Sequence, residues 1–271
     1  MIGIQHDVDG YSFVGRRSPA WWPSRQSQAE FYCETCISEA DLQEVGKQLL
    51  SIRGLGSSAA LCVSPDVVER YEFSVPASFS ASHVYDWVQQ NMESWLNRSS
   101  VDSYFDYLPA TQGNQTDFIL YSAARAQLDR YLQPLRQAQF DIVRVEVPEQ
   151  SLPRLLSGLV SENSLLADIG SVETRVYSIS GGDCHWLGSI KSPVSGRMAH
   201  ESVEVFRAGI QRFIVSLSRS PANVLLAGRL KAASTAKSWL QPLLPGSNME
   251  LLETWGHVPG QALLAASAAT R

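Results

Sequence analysis

The residues with the clearest chemical potential in this sequence lie in a strand-like run that ends in a carboxylate and a glycine-containing turn. Residues 165–175 read LLADIGSVETR, so that Asp168 follows three apolar residues and Gly170 and Ser171 occupy the turn. A turn of this kind directs backbone N–H groups and a hydroxyl towards a phosphate, while the carboxylate reaches a water-coordinated Mg²⁺. Asp and Gly are also the residues of ordinary turns. The motif therefore leaves two interpretations open, a nucleotide-phosphate site and a plain β-hairpin.

The cysteines are the other candidates for chemistry, and their spacing does not favour it. Cys33 and Cys36 form one C-x-x-C pair, whereas Cys62 and Cys184 stand apart. A tetrahedral zinc site needs a second pair, or histidines at ligand spacing. We therefore expect no metal site and predict that the cysteines are small apolar side chains within strands. The sequence also lacks a G-x-S-x-G nucleophile elbow, a P-loop and an H-E-x-x-H pair, so these enzyme signatures are absent.

The composition is that of an ordinary globular chain. Of the 271 residues, 44% are hydrophobic and 18% are charged, and the formal net charge is −5. An acidic balance without a basic run gives no electrostatic attraction for nucleic acid or anionic lipid. No apolar run is long enough to span a membrane, and the N-terminus lacks the features of a signal peptide. These observations predict a cytosolic protein that neither inserts into a membrane nor binds nucleic acid.

Hydrophobic periodicity predicts an α/β protein in two halves. The Asp9-Gly10 pair between two β-type runs indicates a hairpin near the N-terminus. A polar gap at residues 161–164 is the best domain boundary, and residues 165–179 repeat the strand, acidic residue, glycine turn and strand of residues 2–14. Apolar residues at helical spacing predict an amphipathic helix with a core face, made of Val84, Trp87, Val88, Met92, Trp95 and Leu96.

Several short segments, taken in order, resemble one family. The run LLADIGSVETRVYSI is similar to the second phosphate loop of the actin-like ATPase fold, and specifically to that of the PilM family of type IV pilus assembly proteins. MshI- and HofM-type pilus proteins, and the cytosolic part of the type II secretion protein L, are similar as well. The other matching segments are RYEFSVPASFSASHVYDWVQQ, SVDSYFDYLP, FILYSAARAQLDRYLQPLRQAQFDIVRVEVPEQSL, VLLAGRLKAAS and GQALLAAS.

The resemblance implies an α/β fold of the actin-like (ASKHA, ribonuclease H-like) type with two lobes. Residues 1–160 are then expected to form the first lobe, with a small α+β subdomain inserted at about residues 77–147. Residues 161–271 are expected to form the second lobe. Because the matching segments extend over nearly the whole chain, the resemblance concerns the complete architecture.

If ATP with Mg²⁺ binds, the resemblance assigns its contacts to Asp168, Gly170, Ser171 and Gly228. Two departures from the family pattern argue against binding. Asp7 stands where the first phosphate loop has a glycine, and its carboxylate would repel a triphosphate. Arg229 replaces the second glycine of the adenosine loop, and its side chain would crowd the ligand. We therefore expect nucleotide binding to be weakened or lost, with no cofactor and no catalytic residue, and with Asp168 and Gly170 kept for the hairpin.

The resemblance implies a scaffold function. The groove between the first lobe and the inserted subdomain would receive the short cytosolic N-terminal segment of a PilN-like bitopic protein, which would hold the chain at the cytoplasmic side of the inner membrane. A pilus assembly ATPase or a platform protein is a further expected partner. The alternative is an ATP-binding switch or ATPase of the same fold that drives pilus assembly. A sugar kinase-like enzyme is a more distant alternative, since no residue stands out as its catalytic base.

Overall fold

The computed structural model describes residues 2–7, 10–17, 30–36, 39–51, 57–110, 116–156, 163–170, 172–181, 183–192, 200–217, 220–228, 230–252, 254–255 and 258–259. Within these ranges, no helix is both long enough and apolar enough to cross a lipid bilayer.

Strands and helices alternate along the chain. The elements before residue 160 are β1 (Ile2–Asp7), β2 (Gly10–Arg17), β3 (Glu30–Cys36), α1 (Glu39–Ser51), β4 (Ser58–Cys62), β5 (Glu69–Ser74), α2 (Ala81–Leu96), β6 (Ser103–Pro109), β7 (Asp117–Ala124), α3 (Arg125–Gln137), β8 (Asp141–Glu146) and α4 (Pro148–Leu156). The elements after it are β9 (Ser164–Ile169), β10 (Glu173–Ser180), β11 (Asp183–Lys191), α5 (His200–Ser216), β12 (Asn223–Gly228), α6 (Leu230–Leu240), β13 (Asn248–Leu251), β14 (Thr254–Trp255) and β15 (Val258–Pro259).

The first sheet has five strands in the order β3-β2-β1-β4-β8. β1, β2 and β3 form an antiparallel meander, and β4 and β8 run parallel to β1. The pair Asp7 and Gly10 ends the predicted N-terminal hairpin. Ile2, Ile4 and Phe13 are fully buried in the core that α1 and α3 complete. They lie on one face because side chains alternate along a strand.

The second sheet repeats this topology in the order β11-β10-β9-β12-β13. β9, β10 and β11 are antiparallel, and β12 and β13 run parallel to β9. Leu165 and Ile169 of β9 pack against Phe206 and Ile210 of α5. Every residue of β9 is buried, as expected for a central strand covered on both faces. The shared topology explains why residues 2–14 and 165–179 look alike in sequence.

A smaller antiparallel sheet, in the order β5-β7-β6, packs against α2. Val84, Val88 and Met92 form the buried stripe of α2, at the spacing that the sequence indicated. The helix begins after Ser80, whose hydroxyl accepts a hydrogen bond from a backbone N–H of the first turn. Trp87, which the sequence placed in the core, is 37% exposed because it lies at the margin of this stripe.

The strands and helix of the smaller sheet span residues 69–124, whereas the sequence placed the inserted part at about residues 77–147. The bounds differ at both ends. β5 precedes residue 77 but pairs with β7 of the smaller sheet. β8 precedes residue 147 but pairs with β4 of the first sheet, and α3 packs against α1. The pairing partner of a strand is a long-range property, so the resemblance of short segments placed these bounds only approximately.

α4 fills the space between the two five-stranded sheets. Its residues Leu152 and Leu156 pack in one cluster with Ala60 and Cys62 of the first sheet and with Tyr177 of the second. All five are nearly or fully buried. Because protein interiors are close-packed, this shared layer fixes the two sheets relative to each other.

Replacement of Leu152 by Ala is expected to reduce the free energy of unfolding by about 2–5 kcal/mol, because it leaves a cavity in this shared layer. Leu108→Ala is the matched control, since Leu108 is 41% exposed, and it should cost less than about 1 kcal/mol. Urea unfolding of the two variants measures both values. Equal losses would contradict a core that joins the two sheets.

Candidate functional site

The predicted phosphate turn is a β-hairpin that its own backbone closes. The N–H of Gly170 donates to the carbonyl oxygen of Glu173 at 3.0 Å. A Cβ atom at Gly170 would lie 2.9 Å from the same oxygen, so the hairpin itself accounts for the glycine. Ser171, the predicted hydroxyl ligand, lies outside the described residues.

Gly228, which the resemblance placed beside an adenosine, closely approaches the neighbouring strand. Its φ is +98°, a backbone conformation that favours glycine. A Cβ atom here would lie 2.2 Å from the carbonyl oxygen of Ile169, the residue paired with Gly228 between β12 and β9. The contact between these two strands therefore accounts for this glycine as well. Arg229 lies outside the described residues, and its predicted effect on adenosine binding stays a prediction.

Asp168 and Arg175 lie on the face of the second sheet that is turned towards α4 and the first sheet, in a region here called the cleft. They are paired in register between β9 and β10, so their side chains share one face of the sheet. The same face carries Leu166 and Tyr177, which pack against α4 and the first sheet. Asp168 is 8% exposed and Arg175 is 6% exposed. The Nε–H of Arg175 donates to Oε1 of Glu173 at 2.9 Å.

Arg175 was not among the predicted site residues, although one signal for it was present in the sequence. In β10, which reads ETRVYSIS, alternation puts Arg175 on the same face as Tyr177 and Ile179. A charged side chain within an apolar series has to find a partner when the face is buried. Asp168 could be named as its neighbour only once the register between β9 and β10 was known.

The pKa of His6 in β1 depends in part on the charge of Arg175. Its ring lies between Tyr11 and Tyr131, with centroid distances of 4.6 and 4.3 Å. Burial, and after it the positive charge of Arg175, lower the pKa of His6 to about 4. A charge on the second sheet therefore lowers the pKa of a residue on the first sheet. With a pKa of about 4, His6 is neutral at pH 7.

Cys62 and Cys184 are buried free thiols in strands, as the sequence predicted. Burial raises the pKa of Cys62 to about 12 and raises the pKa of Cys184 well above its ordinary value. A thiol with a raised pKa is a poor nucleophile, which agrees with a packing role. The side chains of Cys33 and Cys36 lie outside the described residues. In the described part of the chain, no group of His, Cys, Asp and Glu could hold a metal ion.

The residues that the resemblance assigned to Mg²⁺ and ATP have close neighbours within the protein itself. Asp168 shares its face with a guanidinium, and a second cation beside Arg175 would be repelled in a buried and weakly screened setting. The N–H of Gly170 is bonded to Glu173, and a Cβ atom at Gly228 would meet the backbone of Ile169. Asp7 ends β1, but its side chain lies outside the described residues, so its repulsion of a triphosphate stays a prediction.

A second concave region lies between the first sheet and the smaller sheet. It has a volume of about 170 Å³ and a largely apolar lining. Val63 and Val145 from the first sheet and its continuation lie on one side, Tyr104 and Tyr121 of the smaller sheet lie on the other, and Leu128 of α3 completes it. We call this region the β8 groove. It is the place where the resemblance implies that a partner peptide binds.

β8 forms one rim of the β8 groove and is the outermost strand of the first sheet. The pairing of β8 with β4 shifts register at Val143, and such a bulge changes the face on which the following side chains lie. Val145 lines the groove and is 36% exposed, whereas Val143 is 58% exposed and lies outside the lining. Among the described strands, β8 pairs with β4 alone.

Glu146 lies at the end of β8 and stabilises the same rim through its carboxylate. It begins the Glu-Val-Pro run of the resemblance, and its side chain is 3% exposed. The Nε of Arg144 lies 2.9 Å from one carboxylate oxygen, and Arg154 of α4 donates to the other. A buried carboxylate between two guanidinium groups is well compensated. It ties the end of β8 to α4.

Glu149 of α4 connects the other parts of the molecule. Its Oε1 accepts a hydrogen bond from the backbone N–H of Trp186 in β11 at 3.0 Å, and the same oxygen lies 3.7 Å from Nη1 of Arg70 in β5. The second sheet, α4 and the smaller sheet therefore meet at one carboxylate.

A larger groove of about 760 Å³ follows the outer edge of β5, and we call it the β5 groove. Trp87 and Trp95 are its largest apolar side chains, and His185 of β11 also borders it. Arg70 and Glu72 in its lining form an ion pair at 2.9 Å. No described residue of the first sheet contributes to it.

No protein-family model matches the sequence, and no curated protein matches it either. Solved structures do match. A chain of the PilM-PilN type IV pilus biogenesis complex superposes with a TM-score of 0.69 and 16% sequence identity, covering 99% of this chain and 97% of that one. The cytoplasmic domain of EpsL, an inner membrane component of the type II secretion system of Vibrio cholerae, gives a TM-score of 0.54 and 15% identity, over 98% and 93% of the two chains.

A third match comes from Bacteroides thetaiotaomicron. It is a protein with an actin-like ATPase fold and unknown function, with a TM-score of 0.50 and 10% identity, over 98% of this chain and 95% of that one. The chain has an actin-like fold. This confirms the fold class predicted from the sequence, and the likeness to PilM holds over nearly the full length of both chains. At these identities, the likeness is one of fold. Within the actin-like fold, the cleft corresponds to the space between the two repeated sheets.

Lowering the pH from about 6.5 to about 4 is expected to destabilise the protein through His6. Its folded pKa is about 4, whereas an unfolded histidine has a pKa of about 6.5. The unfolded state therefore binds more protons in this window, so the stabilising contribution is complete above about pH 6.5 and is lost as the pH falls.

His6→Phe keeps the ring contacts and removes the titration. Between about pH 7 and about pH 4.5, its free energy of unfolding should fall by about 1–2 kcal/mol less than that of the wild type, after allowance for the partial exposure of the ring. Urea unfolding at the two pH values measures the difference. Parallel pH profiles of the two proteins would show that His6 is not the titrating group.

Proposed function

We propose that this protein is an actin-like scaffold of a type IV pilus assembly machine, or of a related type II secretion machine, and that it binds an extended peptide in the β8 groove. The partner is a PilN-like bitopic inner-membrane protein, and the peptide is its cytosolic N-terminal segment. One observation carries this proposal. The β8 groove is an apolar groove beside a strand edge that no described strand pairs with, in a fold whose full-length neighbour was solved as a PilM-PilN complex.

The chemistry of the β8 groove suits an extended apolar segment. An added strand gains affinity from main-chain hydrogen bonds to an open sheet edge, and its alternate side chains enter pockets that set the register. Val145 on the rim and the rings of Tyr104 and Tyr121 are the apolar surface that such side chains would cover. Asp106 and Gln150 in the lining offer polar contacts at the same place.

The proposed location is the cytoplasmic side of the inner membrane. The likeness to the cytoplasmic domain of an inner membrane component of a secretion system supports it. The bitopic partner supplies the membrane anchor in this arrangement. A pilus assembly ATPase or a platform protein is a further proposed partner.

An ATP-binding switch of the same fold is the second candidate, and the retained Asp168–Gly170 hairpin is the observation that favours it. Arg175 beside Asp168 argues against it, as do the backbone contacts of Gly170 and Gly228. Calorimetric titration with Mg-ATP separates the two functions. A flat titration supports the scaffold, and saturable heat that disappears in Asp168→Ala supports the switch.

Val145→Arg is expected to weaken binding of the partner's N-terminal peptide by about 10-fold or more, because it places a charge in an apolar lining. Val143→Arg is the matched control, since it changes the same residue type on the same strand outside the groove. Its affinity should stay within about 2-fold of the wild type. Fluorescence anisotropy with a labelled synthetic peptide measures all three affinities.

Three outcomes would count against this assignment. The wild type fails to bind the peptide at high micromolar concentration, or the two valine variants lose affinity equally. The third outcome involves Trp87 in the β5 groove: if Trp87→Ala abolishes binding and Val145→Arg leaves it unchanged, the peptide site is the β5 groove.

A further inference from the structure

The β5 groove lies between a helix and the outermost strand of the smaller sheet. Among the described strands, β5 pairs with β7 alone, and the groove follows its other edge. Trp87 and Trp95 line the groove from α2, about two turns of helix apart. A groove between a helix and a strand edge suits an extended peptide, which adds to the sheet as a further strand.

The two tryptophans of the β5 groove differ in what they offer to a ligand. The ring of Trp95 stacks on Tyr71 and Phe73 of β5, with centroid distances of 4.9 and 5.1 Å, and packs against the core of the smaller sheet. Trp87 meets Phe79 with ring centroids 5.9 Å apart and is 37% exposed. Among aromatic rings, an indole attracts a cation most strongly. Trp87 is therefore the ring that a basic side chain of a ligand can contact.

The charged side chains around the β5 groove also favour a basic ligand. Glu72 and Asp117 are the carboxylates in its lining, and Arg70 is the guanidinium group. Arg70 lies 2.9 Å from Glu72 and 3.7 Å from Glu149 of α4, so two carboxylates already engage its charge. α2 adds two exposed carboxylates and contains no lysine or arginine. An excess of carboxylates attracts cationic ligands and repels anionic ones.

The β5 groove and the β8 groove use different faces of the smaller sheet. Tyr104 and Tyr121, which line the β8 groove, pack against the core of the first sheet. Tyr71 and Trp95, which line the β5 groove, pack against the core around α2. No described residue lines both grooves, so a ligand in one leaves the lining of the other uncovered.

We propose that the β5 groove is a second peptide site. It binds an extended segment of a partner protein by strand addition to β5, and it holds a lysine or arginine side chain of that segment against Trp87. This goes beyond the peptide-binding function of the β8 groove, because the segment is basic and belongs to a different partner. The smaller sheet then carries two partners at once, one on each face.

An NMR titration with a defined probe tests the site. The probe is the acetylated and amidated pentapeptide Val-Arg-Val-Arg-Val, and Val-Glu-Val-Glu-Val is its acidic counterpart. The basic peptide should shift the indole N–H signals of Trp87 and Trp95 with a Kd of about 1 mM or lower, and it should leave the signal of Trp239 in α6 unchanged.

The charge of the probe should decide its affinity. The acidic peptide should bind at least about 10-fold more weakly than the basic one, because the carboxylates around the groove repel it. Raising the salt concentration from about 0.05 M to about 0.5 M should weaken the basic peptide by about 5-fold or more, because salt screens the attraction.

Substitutions locate the contact. Trp87→Leu keeps an apolar side chain but removes the aromatic face, so it should weaken the basic peptide by about 5-fold or more, as followed by the Trp95 signal. Tyr85→Leu is the matched control, because Tyr85 is an aromatic residue of α2 that is 45% exposed and lies outside the groove lining. Its affinity should stay within about 2-fold of the wild type. Glu72→Gln should weaken the basic peptide by about 3-fold or more, because it removes a carboxylate of the lining.

The proposal is overturned if the basic peptide leaves the Trp87 signal unchanged at millimolar concentration, or if the two peptides bind equally. Equal losses in Trp87→Leu and Tyr85→Leu would overturn it as well. If Trp87→Leu does not fold, Glu72→Gln decides the question, since the Glu72 side chain is 73% exposed.

A competition experiment separates the two grooves. The N-terminal peptide of the bitopic partner should not displace the basic peptide, and Val145→Arg should leave the affinity of the basic peptide within about 2-fold of the wild type. Displacement of one peptide by the other would show a single shared site and overturn the proposal. The affinity of the bitopic partner's peptide is measured separately, so failure of this site and failure of the scaffold function give different results.

Discussion

Burial of charge between packed layers is the constraint on which the rest of this structure depends. Carboxylates are buried at the places where its sheets meet, and each must be matched by a positive charge to be tolerated there. Among the described residues, an arginine lies near two buried carboxylates and one half-buried one: Asp168 with Arg175, Glu146 with Arg144 and Arg154, and the half-buried Glu149 with Arg70. Two of these carboxylates, Glu146 and Glu149, join α4 to the first sheet, the second sheet and the smaller sheet.

These neighbours bear on where binding takes place. In the cleft, Asp168 and Arg175 are neighbours across β9 and β10, and a Cβ atom at either Gly170 or Gly228 would meet backbone atoms of the protein. The β8 groove has the opposite character. Its lining is apolar, Val145 on its rim is partly exposed, and the outer edge of β8 has no partner among the described strands. An extended peptide would pair with the outer edge of β8 and cover the apolar lining, so we assign the proposed function to the β8 groove.

The sequence predicted the local features of the fold well, because periodicity and turn residues are local signals. The N-terminal hairpin, the Asp168–Gly170 hairpin and the buried stripe of α2 were all visible in it. The features that it did not predict depend on strand register and on neighbours distant in sequence. Arg175 became a partner of Asp168 only through the pairing of β9 with β10, and β8 joined the first sheet only through β4. The bulge at Val143, which separates two similar valines into different surroundings, has the same origin.

Hydrogen–deuterium exchange tests most directly whether the peptide binds in the β8 groove and whether a nucleotide binds in the cleft. It is measured with the partner's N-terminal peptide and separately with Mg-ATP. We predict that the peptide slows amide exchange in β8 and in the adjoining strands of the smaller sheet, and that Mg-ATP leaves exchange in β9 and β10 unchanged. Protection of β9 and β10 by Mg-ATP, with β8 unaffected by the peptide, would contradict the proposal that the peptide binds in the β8 groove and that the cleft binds no nucleotide.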